Sequence, residues 1–474
     1  MFKLLTKHRL DVLFIALILL TFPLFFYKLG NVSLTSFDEA WYADIARNIN
    51  ISGDLFNLRW NGNPYYDHPP AGFWFIAAGM KIFGENEFGA RAASSTFGLV
   101  GLVFLYLLGK EIYNRYAAFL SAIATSSAYW FLFRARAGNL DVFLTVLFII
   151  SFYLAFKAAK NKYFLIPLAI SLSLLLLTKS IVPLTIIPAL VIIFWGRKLK
   201  FSYVLNSFFI FLFLPAIWFL FHYFTYEKFI DKYFGIGLPG YGKQTDYLGN
   251  FLLIKEYLHN GVGKWFWPGV VGIVAGLLTL KRGFLALSVF CLSFFAPFML
   301  SEKGHIWHLV PLFPFMILLF FTATFYWSEL LIKKFGTNFK KLYLKLALYI
   351  SLTIFCLYFS QMQIKRMWYE FIDVPQFISD EAILSGEAGN YDVPFFIDGD
   401  FTPAAVFYSG KRVDQVRNEA LETLFDKESF TLITKQDRLD QYNIPKDKYK
   451  VLKSDRDKIL IIKDESNDSE SLIK

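Results

Sequence analysis

The chain has 474 residues, of which 56% are hydrophobic, 20% aromatic and only 18% charged. A soluble domain has roughly 45–50% apolar and about 25% charged residues, so this composition excludes an ordinary water-soluble enzyme, a disordered chain and a disulfide-rich secreted scaffold. The net charge of +10 divides into a basic part, residues 1–360, and a mildly acidic part, residues 361–474. Because the positive charge is spread over short loops, we predict no nucleic-acid partner.

Apolar runs long enough, or nearly long enough, to cross a bilayer recur along the first 360 residues. We predict about eleven transmembrane helices, at 10–27, 89–109, 116–133, 140–157, 163–178, 181–196, 203–221, 266–280, 284–300, 306–327 and 342–360. The first run has basic flanks and no small-residue cleavage pattern, which is typical of an uncleaved signal anchor. Lysine and arginine concentrate in alternate loops, which predicts a multi-pass plasma-membrane protein with a cytoplasmic N-terminus and an extracytoplasmic C-terminus.

The first outer loop, residues 28–88, contains two predicted helices. Residues 38–51 have a helical apolar period, and residues 70–83 are apolar and aromatic but too short to cross a bilayer. We expect both helices to lie in the membrane interface, over a site at the outer surface.

The tail alternates short apolar runs with polar helical stretches. The segments VPFFI (393–397), FTLI (430–433) and ILII (459–462) predict strands, and 401–409 and 415–425 predict helices. The predicted architecture is therefore an all-α polytopic membrane domain over 1–360, followed by a small extracytoplasmic α/β domain over 361–474.

Ionisable residues near the predicted outer membrane surface are the candidates for chemistry, because charge is costly at that depth. The early candidates are Asp38, Glu39, Asp67, His68, Arg134, Arg136 and Asp141, and the later ones are His222, Lys243, His259, Lys264, Lys303, His305 and His308. A carboxylate can deprotonate a hydroxyl, and cations can hold an anionic leaving group such as a lipid-linked phosphate.

Each of the early motifs also has a structural interpretation. The acidic pair Asp38 and Glu39 can cap a helix N-terminus. The Asp67-His68 pair can form a polar turn before a proline-started helix, and the arginines can extend towards the interface from an apolar stem.

Several segments carry a resemblance to known enzymes. They are SFDEAWYADIARNI (36–49), GDLFNLRWNGNPYYDHPPAGFW (53–74), FGENEFGARAASSTFGLVG (83–101), RARAGNLD (134–141) and SEKGHIWHLVPLFPF (301–315). Together they resemble the GT-C glycosyltransferases, and more narrowly the branch that holds the lipid A aminoarabinose transferases and the protein O-mannosyltransferases.

The resemblance implies a role for each matched residue. Asp38 matches the first-loop carboxylate that acts as general base, Glu39 completes that acidic pair, and Asp141 matches a second-loop acidic residue. The implied substrate-binding residues are Tyr65, Asp67, His68, Lys303 and His308. Arg134 and Arg136 join them as cations at the same membrane face that can stabilise the departing lipid phosphate, and Asp67 and His259 are the candidate ligands of a divalent metal ion. The sequence departs from the aminoarabinose branch at Trp41, where arginine is usual, and at His68, where lysine is usual, which weakens the case for aminoarabinose as the sugar.

The resemblance implies an inverting enzyme that moves a sugar from a polyprenyl-phosphate donor to a lipid, glycan or protein acceptor at the outer face of the bilayer. No cofactor is required for this reaction, and a divalent metal ion is left open. The alternative is a transporter or flippase of lipid-linked saccharides. A transporter would explain the spans and the cationic cavity, but it predicts charged groups in mid-span and repeated halves.

Overall fold

The structure is a computed structural model that describes residues 7–179, 181–237, 246–299, 305–335, 338–399, 403–418 and 420–464. The first helices are α1 (Lys7–Phe26), α2 (Asp38–Ser52), α3 (Ala71–Phe83), α4 (Glu87–Ile112), α5 (Arg115–Ser126), α6 (Tyr129–Ala135), α7 (Asp141–Ala158), α8 (Leu165–Leu176), α9 (Ile187–Phe194) and α10 (Phe201–Thr225). The later helices are α11 (Phe229–Gly237), α12 (Tyr247–Val262), α13 (Phe266–Leu278), α14 (Arg282–Met299), α15 (Phe313–Phe335), α16 (Asn338–Met367), α17 (Asp380–Ala388), α18 (Pro403–Ser409), α19 (Ala420–Leu424) and α20 (Gln436–Gln441). The strands are β1 (Arg59–Trp60), β2 (Asn63–Pro64), β3 (Phe395–Asp398), β4 (Val413–Val416), β5 (Ser429–Thr434), β6 (Lys450–Asp455) and β7 (Lys458–Asp464).

The chain divides into two compact units. The helical unit comprises residues 1–29, 66–75 and 91–373, and the mixed unit comprises residues 30–65, 76–90 and 374–474. Residues of the first outer loop thus belong to both units, whereas the sequence predicts a single domain boundary, between residues 360 and 361. That predicted division into 1–360 and 361–474 stays a prediction.

Within the described residues, eight helical stretches are long and apolar enough to cross a membrane, or nine if the bent pair α5 and α6 counts as one span. The number of eleven is not confirmed. The predicted spans at 163–178 and 181–196 coincide with shorter apolar helices, at 162–176 and 182–194. Long runs such as α7 and α10 agree with the prediction to within a few residues at each end.

The helical unit has an aromatic core that is packed closely between helices. Its fully buried side chains include Phe131, Phe148, Phe290 and Trp265. A Cβ atom on Gly272 of α13 would lie 2.3 Å from the backbone nitrogen of Phe320 in α15, so this glycine permits the close approach of the two helices.

Helices α5 and α6 are separated by a bend of 69°. Four polar contacts hold the bend. The carbonyl oxygen of Ser127 accepts from Gln363 Nε2 at 2.7 Å, and Ser127 Oγ accepts from Trp265 Nε1 at 3.0 Å. Gln363 Oε1 in turn accepts from the backbone N–H of Lys264 at 2.8 Å, and Ser127 Oγ donates to Ser360 Oγ at 3.1 Å. The predicted span 116–133 is therefore bent, and the carbonyl of Ser127 at the bend finds a buried side-chain partner in Gln363.

The mixed unit is built on a five-stranded sheet of order β4-β3-β5-β7-β6. Strands β4, β3 and β5 are parallel, and β7 is antiparallel to both β5 and β6. The three predicted strands are present as β3, β5 and β7. The predicted helix 415–425 was wrong at its start, because 413–416 forms strand β4 and the helix begins at Ala420.

Residues of the first outer loop pack onto this sheet and its helices. Asn61, in the turn between β1 and β2, donates to the carbonyl oxygen of Val413 and accepts from its N–H, both at 2.8 Å. Arg47 of α2 donates to the carbonyl oxygen of Phe407 at 2.6 Å and is paired with the buried carboxylate of Asp44. Burial raises the pKa of Asp44, although Arg47 opposes that effect.

Candidate active site

A buried group of charged side chains lies in the helical unit where α6 ends and α7 begins. Arg134 donates to Asp141 Oδ2 through Nε at 3.0 Å and through Nη2 at 2.7 Å, and Lys179 Nζ donates to Asp141 Oδ1 at 2.9 Å. Arg134 is 7% exposed and Asp141 2% exposed. We call these three residues the Asp141 cluster. Two cations and one carboxylate give the cluster a net charge of +1, and a buried net positive charge favours an anionic ligand.

The short turn between α6 and α7 sets the geometry of the cluster. Asn139 is fully buried, and its side-chain oxygen accepts from the backbone N–H of Asp141 at 2.9 Å. Its amide donates to the carbonyl oxygens of Arg134 at 2.5 Å and of Ala137 at 2.8 Å. Because one side chain closes the turn from both ends, Arg134 and Asp141 are held on the same side of it.

Two histidines lie close to the Asp141 cluster. His68 is within electrostatic range of Lys179 and Asp141, as is His308, which lies in the turn before α15. Burial, aided by Lys179, lowers the pKa of His68 to about 4, so its imidazole is neutral at pH 7. The ring of His308 stacks on Phe298 with centroids 5.9 Å apart. The structure therefore brings together the predicted residues His68, Arg134, Asp141 and His308.

Arg136 was predicted with Arg134 but has different partners. It donates to the carbonyl oxygens of Leu24 at 2.9 Å and Tyr27 at 2.8 Å, at the C-terminal end of α1. Arg91 donates to the carbonyl oxygen of Leu29 at 2.9 Å. Since the last carbonyls of a helix have no partner within the helix, these contacts favour a structural role for Arg136. Its substrate-binding role stays a prediction.

The described residues do not assemble a ligand set around the predicted metal ligands Asp67 and His259. Asp67 Oδ1 is paired with Lys232 Nζ at 3.0 Å, and His259 is exposed with its ring edge against Phe266. Within the described ranges, no three His, Cys, Asp or Glu side chains are grouped as metal ligands.

Asp38, Glu39 and Tyr65 belong to the mixed unit. Asp38 is half-buried and begins α2, as predicted, where the helix dipole stabilises a carboxylate. Glu39 is buried, and its Oε2 accepts from the backbone N–H of Thr35 at 3.0 Å, which orders the loop before the helix. Tyr65 is buried with its ring edge against Trp41, with centroids 5.8 Å apart.

Three lysines change the list of candidates. Lys303 lies outside the described residues, as does Lys243. Lys179 was missed, although it contacts Asp141 directly. The signal in the sequence was a single lysine in the short break between two apolar runs, at 165–176 and 187–194, where an unpaired charge would be costly.

The fold and the eight candidate membrane spans among the described residues define a multi-pass membrane protein. Comparison with known proteins identifies similar sequences and structures. The model of the dolichyl-phosphate-mannose-protein mannosyltransferase family matches residues 67–221, a segment that holds His68 and the whole Asp141 cluster. An uncharacterized protein of Aquifex aeolicus is 33% identical over 220 residues, which cover 44% of this chain and 44% of that protein. Undecaprenyl phosphate-α-4-amino-4-deoxy-L-arabinose arabinosyl transferase of Pseudomonas savastanoi pv. phaseolicola is 34% identical over 137 residues, 29% of this chain and 25% of that protein.

The likeness of the fold extends over nearly the whole chain. The crystal structure of ArnT from Cupriavidus metallidurans bound to undecaprenyl phosphate matches with a TM-score of 0.74 at 17% identity, covering 96% of this chain and 98% of ArnT. The chain therefore has the GT-C fold and resembles the aminoarabinose transferase and O-mannosyltransferase branch, as its motifs predicted. In sequence, it matches less than half the length of the two relatives named above.

Proposed function

We propose that this protein is a membrane glycosyltransferase that takes a sugar from a polyprenyl-phosphate donor and transfers it to a lipid, glycan or protein acceptor at the outer face of the bilayer. The observation that carries the proposal is the buried Asp141 cluster in a chain with the fold of ArnT. The glycosyltransferase relatives and the undecaprenyl phosphate bound to ArnT support the choice of donor.

Lys179 and Arg134 are proposed to hold the donor phosphate. An ammonium group has three donors, so Lys179 can contact a phosphate oxygen while it remains paired with Asp141. When the bond between sugar and phosphate breaks, the phosphate gains negative charge, and fixed cations in a poorly solvated site stabilise that charge.

Asp141 is proposed to position these two cations. Both of its oxygens are in ion pairs, one with Arg134 and one with Lys179. A carboxylate so engaged is a poor proton acceptor, so the catalytic role that the resemblance implied for Asp141 is replaced here by a positioning role.

Asp38 is proposed as the general base. The acceptor hydroxyl oxygen forms a bond to the anomeric carbon, the bond from that carbon to the phosphate oxygen breaks, and the hydroxyl proton passes to the Asp38 carboxylate. The polyprenyl phosphate leaves with the bonding electrons, and the anomeric configuration inverts. This role rests on the resemblance and on the place of Asp38 at the start of α2.

Three variants of the full chain test the proposal. We expect Lys179→Met to weaken binding of undecaprenyl phosphate by about tenfold or more, with partial rescue in Lys179→Arg. We expect Asp38→Asn to retain that binding and to lower sugar transfer by about 100-fold or more. Binding is measured on protein in lipid nanodiscs, and transfer by mass spectrometry of surface glycans and lipids from cells that carry each variant.

The matched control is Lys281→Met, which removes an exposed lysine from the loop before α14. Wild-type binding and transfer in Lys179→Met would refute the phosphate site. Normal transfer in Asp38→Asn would refute the general base while leaving the phosphate site standing.

A further inference from the structure

A pocket of about 730 Å³ lies at the end of the helical unit where α1 begins, and its lining includes none of Asp38, Arg134, Asp141 and Lys179. Its walls come from the end of α4, the start of α5, the end of α7 and the middle of α16. Asp141 and Lys157 stand at opposite ends of α7, and 16 residues of helix span about 24 Å. The pocket is therefore a separate place from the Asp141 cluster.

The charged side chains of this basic pocket have an excess of positive charge. The charged residues of its lining are Lys110, Glu111, Arg115 and Lys157, and the ion-pair partners of these residues, Asp11 and Lys160, lie outside the lining. Asp11 Oδ1 lies 2.9 Å from Lys110 Nζ and 3.4 Å from Arg115 Nε. Glu111 is shared in the same way, with Lys157 Nζ at 3.6 Å from its Oε2. Each carboxylate is paired with two cations, so the four cations and two carboxylates together leave two positive charges for a ligand.

An adjoining pocket of about 330 Å³ shares Tyr113 with the first and continues the positive surface. It is lined by Lys333, Lys341 and Lys345 together with Glu329. The Glu329 carboxylate already accepts from the hydroxyl of Tyr113 at 2.8 Å. Three cations and one carboxylate again leave an excess of two positive charges.

The position along the helices indicates what kind of anion fits. The pocket lies where the apolar stretch of α1 begins and those of α4 and α7 end, which is the depth of lipid headgroups. Its tyrosines are of the type enriched at that depth. Beyond it, α1 exposes Val12 and Leu13 and α16 exposes Leu346 and Ile350, which are surfaces for acyl chains.

We propose that this basic pocket binds the phosphate of an anionic glycerophospholipid whose acyl chains lie along α1 and α16. Basic pockets between transmembrane helices recognise such headgroups by charge, and the lysine and arginine side chains here supply it from three helix ends. A soluble phosphate ligand would not need the apolar surfaces beside the pocket, so the lipid is the favoured occupant.

The test uses the full chain, purified in detergent and stripped of lipid, with native mass spectrometry as the readout. We expect phosphatidylglycerol to bind about tenfold more tightly than phosphatidylcholine, and this preference to shrink as salt is raised. The triple variant Lys110→Gln/Arg115→Gln/Lys157→Gln should bring the two lipids to near equality. The matched control Arg197→Gln/Lys198→Gln/Lys200→Gln removes three exposed cations from the segment before α10 and should keep the preference.

Any of the following results would overturn the proposal: no lipid preference in the wild-type protein, an unchanged preference in a folded triple variant, or displacement of phosphatidylglycerol by millimolar inorganic phosphate. The salt dependence of the wild-type preference needs no variant, so it decides the matter if the triple variant does not fold. Tighter binding of undecaprenyl phosphate at the same side chains would also overturn it. None of these measurements depends on sugar transfer, so their outcome is independent of whether the proposed function is correct.

Discussion

Lys179 is the residue that connects the sequence to the proposed chemistry, and it could not be found by composition or periodicity. It stands between Thr178 and Ser180 in an otherwise apolar stretch, and its partner Asp141 lies 38 residues earlier in the chain. The prediction identified Arg134 and Asp141 because they share one short segment. It missed Lys179 because a single lysine between two apolar runs signals a costly charge but does not identify the distant carboxylate that pairs with it.

The lowered pKa of His68 predicts how the stability of the protein depends on pH. Its pKa is about 4 in the folded protein against an ordinary value of 6.5, so the unfolded chain binds a proton at a pH where the folded protein does not. The contribution of the neutral His68 side chain to the free energy of unfolding is therefore fully present above pH 6.5 and is lost as the pH falls towards 4. At pH 5 the loss amounts to about 2 kcal/mol. We expect the melting temperature of His68→Gln to fall less than that of the wild type between pH 7 and pH 5.

The control for that measurement is His259→Gln, which removes an exposed imidazole. It should leave the pH dependence of the melting temperature as it is in the wild type. If His68→Gln and the wild type showed identical pH dependence, the pKa of His68 in the folded protein would not be lowered, which would contradict this prediction.

At the scale of elements, the bend between α5 and α6 decides where Arg134 lies. Gln363 stabilises the bend, because its side chain connects the carbonyl of Ser127 to the backbone N–H of Lys264. Gln363→Leu leaves the carbonyl of Ser127 and the N–H of Lys264 without this partner. A buried polar group that loses its partner costs about 1–3 kcal/mol, so we expect a stability loss of about 2 kcal/mol or more and weaker binding of undecaprenyl phosphate. Thermal unfolding of purified protein measures the first effect.

Gln361→Leu is the matched control, because this neighbouring glutamine of α16 is exposed. Equal melting temperatures for the two variants would show that the bend does not depend on Gln363.

Elements with a strong local pattern were predicted well, and elements made by distant partners were not. Helix α2 begins at Asp38 as predicted, and β3, β5 and β7 were found from their apolar runs. Strand β6 was missed because its burial alternates weakly, and β4 because its four residues include two exposed polar ones. The bend at Ser127 was missed because its stabilising partners come from α16 and the turn before α13.

At the scale of the whole molecule, the orientation in the membrane is a prediction that cysteine labelling can check. Both natural cysteines are buried, which keeps background labelling low. Ser454→Cys in β6 and Lys198→Cys before α10 place single exposed thiols on opposite predicted sides. We expect a membrane-impermeant maleimide to label Ser454→Cys in intact cells and Lys198→Cys only after lysis. The reverse pattern would contradict the positive-inside orientation.

The two hydrogen bonds between Asn61 and Val413 join residues that are far apart in the order of synthesis. About 350 residues must be added after Asn61 before its partner emerges, and at about 5–20 residues per second this takes about 20–70 s. During that interval the Trp60 ring of the hairpin lacks the C-terminal side chains that later pack against it. A chaperone bound to this segment would meet the Trp60 ring before the C-terminal strands exist, and a ribosome that stops early would release a protein in which that ring is never covered.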